Sequence, residues 1–255
     1  MSNPFVQPLE GRQLLSATWH DGSSIHWGDY SITLRFGNLQ VVGSSRNDHI
    51  SVYPELFFNT GGGGPIFDAR TFAVKMGGKT QHIPIDLVRQ IHISGGDGND
   101  TIQMQPFTAI AIDQCGQTVN STPTGARPAG IDGGDGNDTI FGSDFTDIIS
   151  GGSGNDSISG QGGGDVISGG DGDDTIDGGE GNDRIDAGAG SDQVHGGIGN
   201  DVLVGSNGRD TLRGDDGNDR ILGGNGIDWA DQKPSSKRST ERELQGIICI
   251  TPFPF

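Results

Sequence analysis

The chain has 255 residues, with 34 Asp or Glu against 16 Lys or Arg, and a net charge of −18; glycine supplies 47 residues, hydrophobic residues 31 % and aromatics 6 %. A helical bundle cannot carry this much glycine, because each helix-interior glycine costs roughly 1 kcal/mol, and a nucleic-acid binder needs the opposite sign of charge. No apolar run reaches the length of about 18 residues that a membrane span requires, and the glycines lack the every-third spacing of collagen.

Residues 1–23 read as a disordered or sorting segment. Met1 to Ala17 lacks the basic head and apolar stretch of an ordinary secretory signal peptide. The run Pro8-Leu9-Glu10-Gly11-Arg12-Gln13-Leu14-Leu15-Ser16 resembles the L-E-P-R-x-L-L segment near the start of many exported proteins of budding bacteria, with Gly11 where that segment has proline. The resemblance implies sorting to the cell surface or beyond. His20, Asp21 and His26 read as surface strand residues.

Residues 24–132 read as β-rich with degenerate repeat units. Ile32, Leu34 and Phe36 alternate as a strand, and GSSRNDHIS (43–51) is a worn copy of the unit described below, with Asp48 and Ile50 in place. Gly61 to Gly64 reads as a flexible loop. Phe72 to Met76, a Gly77-Gly78 turn and Thr80 to Ile85 predict a hairpin. Leu87 to Ser94 predicts a strand leading into GGDGNDTIQ (95–103), a full unit carrying Asp100. The 38 residues between Gly95 and Gly133 equal two coils of 18 plus two, with a strand over Ala109 to Asp113 and a loop from Cys115 to Gly130. Cys115 and Cys249 allow one disulfide and form no CxxC pair.

From Gly133 to Asp231 the chain is eleven nine-residue units without a gap: GGDGNDTIF, GSDFTDIIS, GGSGNDSIS, GQGGGDVIS, GGDGDDTID, GGEGNDRID, AGAGSDQVH, GGIGNDVLV, GSNGRDTLR, GDDGNDRIL and GGNGIDWAD. Position six is aspartate in all of them, and position eight is aliphatic in ten, with Ala230 in the last. Position four is glycine except at Phe145. This block holds 21 acidic residues and 4 arginines, so it carries −17 of the chain's −18. Positions one to six favour tight turns and positive φ, and positions seven to nine form a short strand whose side chains alternate. One unit alone buries nothing. Two units make a coil of 18 residues, coils stack about 4.8 Å apart through parallel pairing, and the position-eight aliphatics face each other inside.

Stacking places Asp138, Asp156, Asp174, Asp192, Asp210 and Asp228 in one column and Asp147, Asp165, Asp183, Asp201 and Asp219 in another. Two like charges about 5 Å apart repel by roughly 3 kcal/mol at an effective dielectric of 20. Aspartate also favours turns, but eleven of eleven at one stacked position calls for a cation. Ca²⁺ takes 6–8 oxygen ligands, whereas Mg²⁺ keeps its waters, and no Cys or His recurs with the repeat to hold Zn²⁺.

The consensus G-G-x-G-x-D-x-U-x resembles the calcium-binding nonapeptide of the RTX, or haemolysin-type, repeat proteins. The resemblance implies an all-β fold, a right-handed parallel β-roll loaded with several Ca²⁺ ions, over residues 133–231, with residues 232–255 as a C-terminal tail or cap. It also implies ions shared between successive turns of one edge. One turn gives carbonyls of positions one and three, the next gives those of positions two and four, and both give the position-six carboxylate. Carried over, the best sites pair Asp138 with Asp156, Asp156 with Asp174, Asp165 with Asp183, and Asp183 with Asp201. Gly151, Ser153, Gly169, Asp171, Gly178 and Glu180 are then carbonyl donors. Phe145 and Gln161 make Asp147/Asp165 depart from the pattern, as do Ser206 and Asp215 at position two of later units.

No HExxH or GxSxG motif occurs, so no enzyme activity is expected, and His195 at an outward position nine reads as solvated. The resemblance implies a secreted or cell-surface protein that binds calcium and folds on it after export. A calcium-dependent structural adhesin, with cell-surface or matrix polymers as partners, and a small exported enzyme with a catalytic N-terminal region are the alternatives.

Overall fold

The computed structural model describes residues 22–59, 66–104, 110–112, 118–120, 129–231 and 248–250. These residues are almost entirely extended. One 3₁₀ turn, Ile85–Leu87, interrupts them, and no α-helix occurs among them. The segment resembling the sorting motif, His20, Asp21, the Gly61 to Gly64 loop and Cys115 lie outside the described residues.

Two eleven-stranded sheets face each other. In the first, Asn38–Val42, Gln90–Asp97, Ala129–Asp135, Ile148–Ser153, Val166–Asp171, Arg184–Gly190, Val202–Gly208 and Arg220–Leu222 pair in parallel. In the second, His49–Asn59, Thr101–Met104, Thr139–Phe141, Ser157–Ser159, Thr175–Glu180, Gln193–Ile198, Thr211–Asp216 and Asp228–Asp231 do the same. From residue 129 onward the chain alternates between the two sheets, and the partners in each ladder are 18 residues apart, as in Ile149↔Ile167 and Ile158↔Ile176. This is a parallel β-roll of stacked two-unit coils.

The register puts every position-eight side chain in line. Ile93, Ile131, Ile149, Ile167, Ile185 and Leu203 form one buried row, and Ile50, Ile102, Ile140, Ile158, Ile176, Val194 and Leu212 form the other. Each side chain contributes about 1.5–3 kcal/mol of apolar burial, and a coil has only two of them. The apolar core is therefore thin, and the stability of a coil depends heavily on the turns that flank it.

At the N-terminal end the ladders are covered by antiparallel strands. Ser24–Trp27 and Tyr30–Arg35 extend the first sheet, and Ile66–Met76 and Lys79–Pro84 extend the second. Phe72, Val74, Met76 and Ile83 join the same core as the roll. These strands shield parallel edges that would otherwise offer unpaired backbone groups. At the other end Ile248–Ile250 pairs antiparallel with Asp228–Asp231.

Three details differ from the sequence reading. The strands are longer than positions seven to nine: Ile148–Ser153, Val166–Asp171 and Thr175–Glu180 run on through positions one to three of the next unit. A glycine with positive φ at position two, such as Gly152 at 114° or Gly170 at 118°, keeps the ladder intact there. The 38-residue step after Gly95 is one coil with an insertion and not two coils, because Ile93 pairs directly with Ile131 and Ile102 with Ile140. Phe36 stands outside the strand it was expected to end. It adopts φ 52°, is 73 % exposed, and lies under Arg35 with 5.4 Å between guanidinium carbon and ring centroid.

Candidate metal centre

The sixth-position aspartates stack as two columns along the roll. In the first, the backbone N–H of Asp138 donates to Asp156 Oδ1, and the contact repeats from Asp156 to Asp174, Asp174 to Asp192, Asp192 to Asp210 and Asp210 to Asp228, at 2.8–3.1 Å. The column also extends backward. Asp100 N–H donates to Asp138 and Asp48 N–H to Asp100, so it crosses both insertions without a break. In the second, Ala129 N–H donates to Asp147 Oδ1, and the pattern continues through Asp165, Asp183 and Asp201 to Asp219 at 2.7–3.0 Å.

This arrangement uses half of each carboxylate. The second oxygen, Oδ2, of Asp100, Asp138, Asp156, Asp165, Asp174, Asp183, Asp192, Asp201, Asp210 and Asp228 is buried and accepts no hydrogen bond. None of these residues is more than 3 % exposed. Buried acceptors without a donor normally cost about 1–3 kcal/mol each, so ten in register suit a positively charged partner.

The orphan oxygens share their space with main-chain carbonyls. A methyl group placed on Gly133 would collide with Asp138 Oδ2 and with the Gly151 carbonyl oxygen of the next coil. The same holds for Gly151 with Asp156 Oδ2 and the Gly169 carbonyl, for Gly160 with Asp165 Oδ2 and the Gly178 carbonyl, and for Gly178 with Asp183 Oδ2 and the Gly196 carbonyl. Glycine at position one keeps each cradle open. The third-position carbonyls of Ser153 and Asp171 point back along the same edge and accept the N–H groups of Gly136 and Gly154 at 2.7 Å, which leaves each a second lone pair. Glu180 lies at the end of its strand, its own N–H donating to the Gln161 carbonyl at 2.8 Å. Among the described residues no three Asp, Glu, His or Cys side chains converge on a point that could hold a metal. The donors are instead single carboxylate oxygens and carbonyls, and an all-oxygen set of that kind suits Ca²⁺.

Comparison with known families agrees with this chemistry. The model of the RTX calcium-binding nonapeptide repeat matches in four copies, over residues 92–103, 132–167, 159–194 and 195–230. The chain carries RTX calcium-binding repeats. No curated protein matches it.

Electrostatics in the RTX turns follow from burial. Burial pushes Asp165 and Asp174 up to about 7, and Asp100, Asp156, Asp201 and Asp210 up to about 6. Asp138, Asp147, Asp183 and Asp192 move in the same direction for the same reason. The N–H donated by the preceding coil opposes the rise, and neighbouring carboxylates add to it for Asp165 and Asp174. An unfolded aspartate titrates near 3.9. The calcium-free fold therefore holds protons that the unfolded chain releases. Its stability from these groups is fully present below about pH 4 and is lost as pH rises through 6 to 7. In chelator, lowering the pH from 8 to 5 is expected to raise the β-signal and the melting temperature of the full chain. A flat profile across that window would contradict burial as the cause.

Not every RTX turn is alike. Ala187 stands at position one where the other units have glycine, and it is fully buried. Ser206 and Asp215 occupy position two with φ of 69° and 64°, and their side chains reach outward. The Ser206 hydroxyl donates to Asp186 at 2.7 Å, and Asp215 Oδ2 lies 2.9 Å from His195 Nδ1. His195 is thus paired across coils while its side chain stays 44 % exposed, because a residue two positions past the repeat length meets it from the next coil.

Sequence reasoning missed a second ladder. At position five, Asn137 N–H donates to Asn99 Oδ1 and Asn155 N–H to Asn137 Oδ1, and Asn200 and Asn218 repeat this on the other edge. These contacts run opposite to the aspartate ladder and tie the turns together from outside. The recurrent Asn-Asp pair at positions five and six was the available signal.

Proposed function

We propose that the chain is a secreted or cell-surface protein whose RTX-type roll folds on calcium once outside the cell. The observation that carries this reading is the row of ten buried Oδ2 atoms without a donor. The ligands are the carboxylate pairs Asp138/Asp156, Asp156/Asp174, Asp165/Asp183 and Asp183/Asp201, with carbonyls of Gly151, Ser153, Gly169, Asp171, Gly178 and Glu180 completing the oxygen set. Asp100 extends the first column toward the N-terminus. The ions act on structure and not on a substrate: they neutralise the columns and let coils stack.

Extracellular calcium modules bind in the 10⁻⁴–10⁻³ M class. Sites of that strength stay empty at cytosolic calcium and fill outside, and a ligand that binds only the folded form stabilises it in proportion to the logarithm of its concentration. The test combines calorimetry and location. Titration of the full chain with calcium at millimolar concentration is expected to give heat and a stoichiometry of several ions, and fractionation is expected to place the chain in the medium or on the surface. A titration without heat sinks the calcium reading; a chain confined to the cytosol sinks the export reading.

A further inference from the structure

Two turns in the aspartate columns are built differently from the rest. In the open turns, position four is a glycine with positive φ, such as Gly136 at 131°, Gly154 at 123° and Gly172 at 130°. In the turns that end at Asp48 and Asp147, position four is Arg46 and Phe145, and position two is Ser44 and Ser143. None of these four side-chain-bearing residues takes positive φ, as expected for residues with a Cβ.

The chain closes inward instead. Ser143 donates to Asp147 Oδ2 twice, through its N–H at 2.7 Å and its hydroxyl at 2.8 Å. Ser44 N–H donates to Asp48 Oδ2 at 2.6 Å, while Tyr30 OH donates to Asp48 Oδ1 at 2.8 Å. Asp147 is fully buried and Asp48 nearly so. Both carboxylates are thus satisfied by protein donors, in the same columns where their neighbours are not. Ser206 separates the effect of serine from that of position four. It also stands at position two, but Gly208 follows at position four with φ 139°. There the serine turns outward to Asp186, and Asp210 Oδ2 keeps no donor.

The two closed turns are also the first in their columns. Asp48 begins one, and Asp147 is the first aspartate of the other, where Ala129 holds the preceding place. Granting the calcium reading above, we propose that the turns at Asp48 and Asp147 bind no calcium, that their serines replace the ion, and that each column starts from a metal-independent turn. Position four decides: glycine opens the turn for an ion, and a side chain closes it on serine.

The test counts ions bound per full-length chain by calorimetry, with bound metal checked by elemental analysis after desalting. The double variant Ser143→Gly/Phe145→Gly is expected to bind one ion more than the unaltered chain. Asp147→Asn is expected to leave the count unchanged, whereas Asp183→Asn lowers it by at least one. A double-glycine variant with no added ion, or an Asp147→Asn chain that loses one, overturns the proposal. If Asp147→Asn does not fold in calcium, the double-glycine variant alone decides. An unaltered chain that binds no ion defeats the calcium reading itself, before any variant is compared.

Discussion

Chelating calcium from the full chain with EDTA is expected to abolish most of its far-UV β-signal, and returning millimolar calcium is expected to restore it. Each regular coil buries only two aliphatic side chains, at about 1.5–3 kcal/mol each, and at neutral pH it brings in two carboxylates stacked on those of the neighbouring coils. Like charges about 5 Å apart repel by roughly 3 kcal/mol at an effective dielectric of 20, and a cation between them reverses the sign of that contribution. The N-terminal antiparallel strands have a fuller core, with Phe72, Val74, Met76 and Ile83 packed together, so residual signal in EDTA should come from there. A spectrum unchanged by EDTA would mean that the roll stands without metal.

The repeat made the roll readable because one physical requirement recurs every nine residues. An aliphatic at position eight is needed in every half-coil, so Ile140, Ile149, Ile158 and their successors announced the core, and the shared aspartate announced the columns. Reading failed where a local choice replaces the periodic one. The 38-residue step from Gly95 to Gly133 has a length close to two coils, and length alone cannot distinguish an added coil from a long loop; only the pairing of Ile93 with Ile131 does. The closed turn at Asp147 depends on Ser143 folding back once Phe145 denies the positive φ, a coupling of two positions that a consensus treats as separate. The use of Oδ1 by a backbone N–H was also out of reach, since it follows from the register of stacked coils and not from residue type.

Replacing both Asp156 and Asp174 with asparagine is expected to lower the bound calcium by at least one ion per chain while leaving the roll foldable. The two residues are neighbours in the first column. Asp156 Oδ1 accepts from Asp138 N–H and Asp174 Oδ1 from Asp156 N–H, both at 2.8 Å. Asparagine keeps that acceptor, so the ladder survives. At Oδ2 it offers an amide NH₂, a donor that cannot ligate a cation. The cradles lined by the Gly169 and Ala187 carbonyls then hold a donor facing acceptors, which satisfies them without metal. The double variant also loses two of the carboxylates that burial pushes up to about 6 and 7. In chelator it should therefore be at least as structured as the unaltered chain at pH 8, and less dependent on pH. Loss of ions together with retained or improved calcium-free structure separates a ligand role from a packing role. An unchanged ion count would show that these two carboxylates do not hold calcium, and a variant that binds fewer ions but unfolds in saturating calcium would show that their negative charge matters for more than the metal.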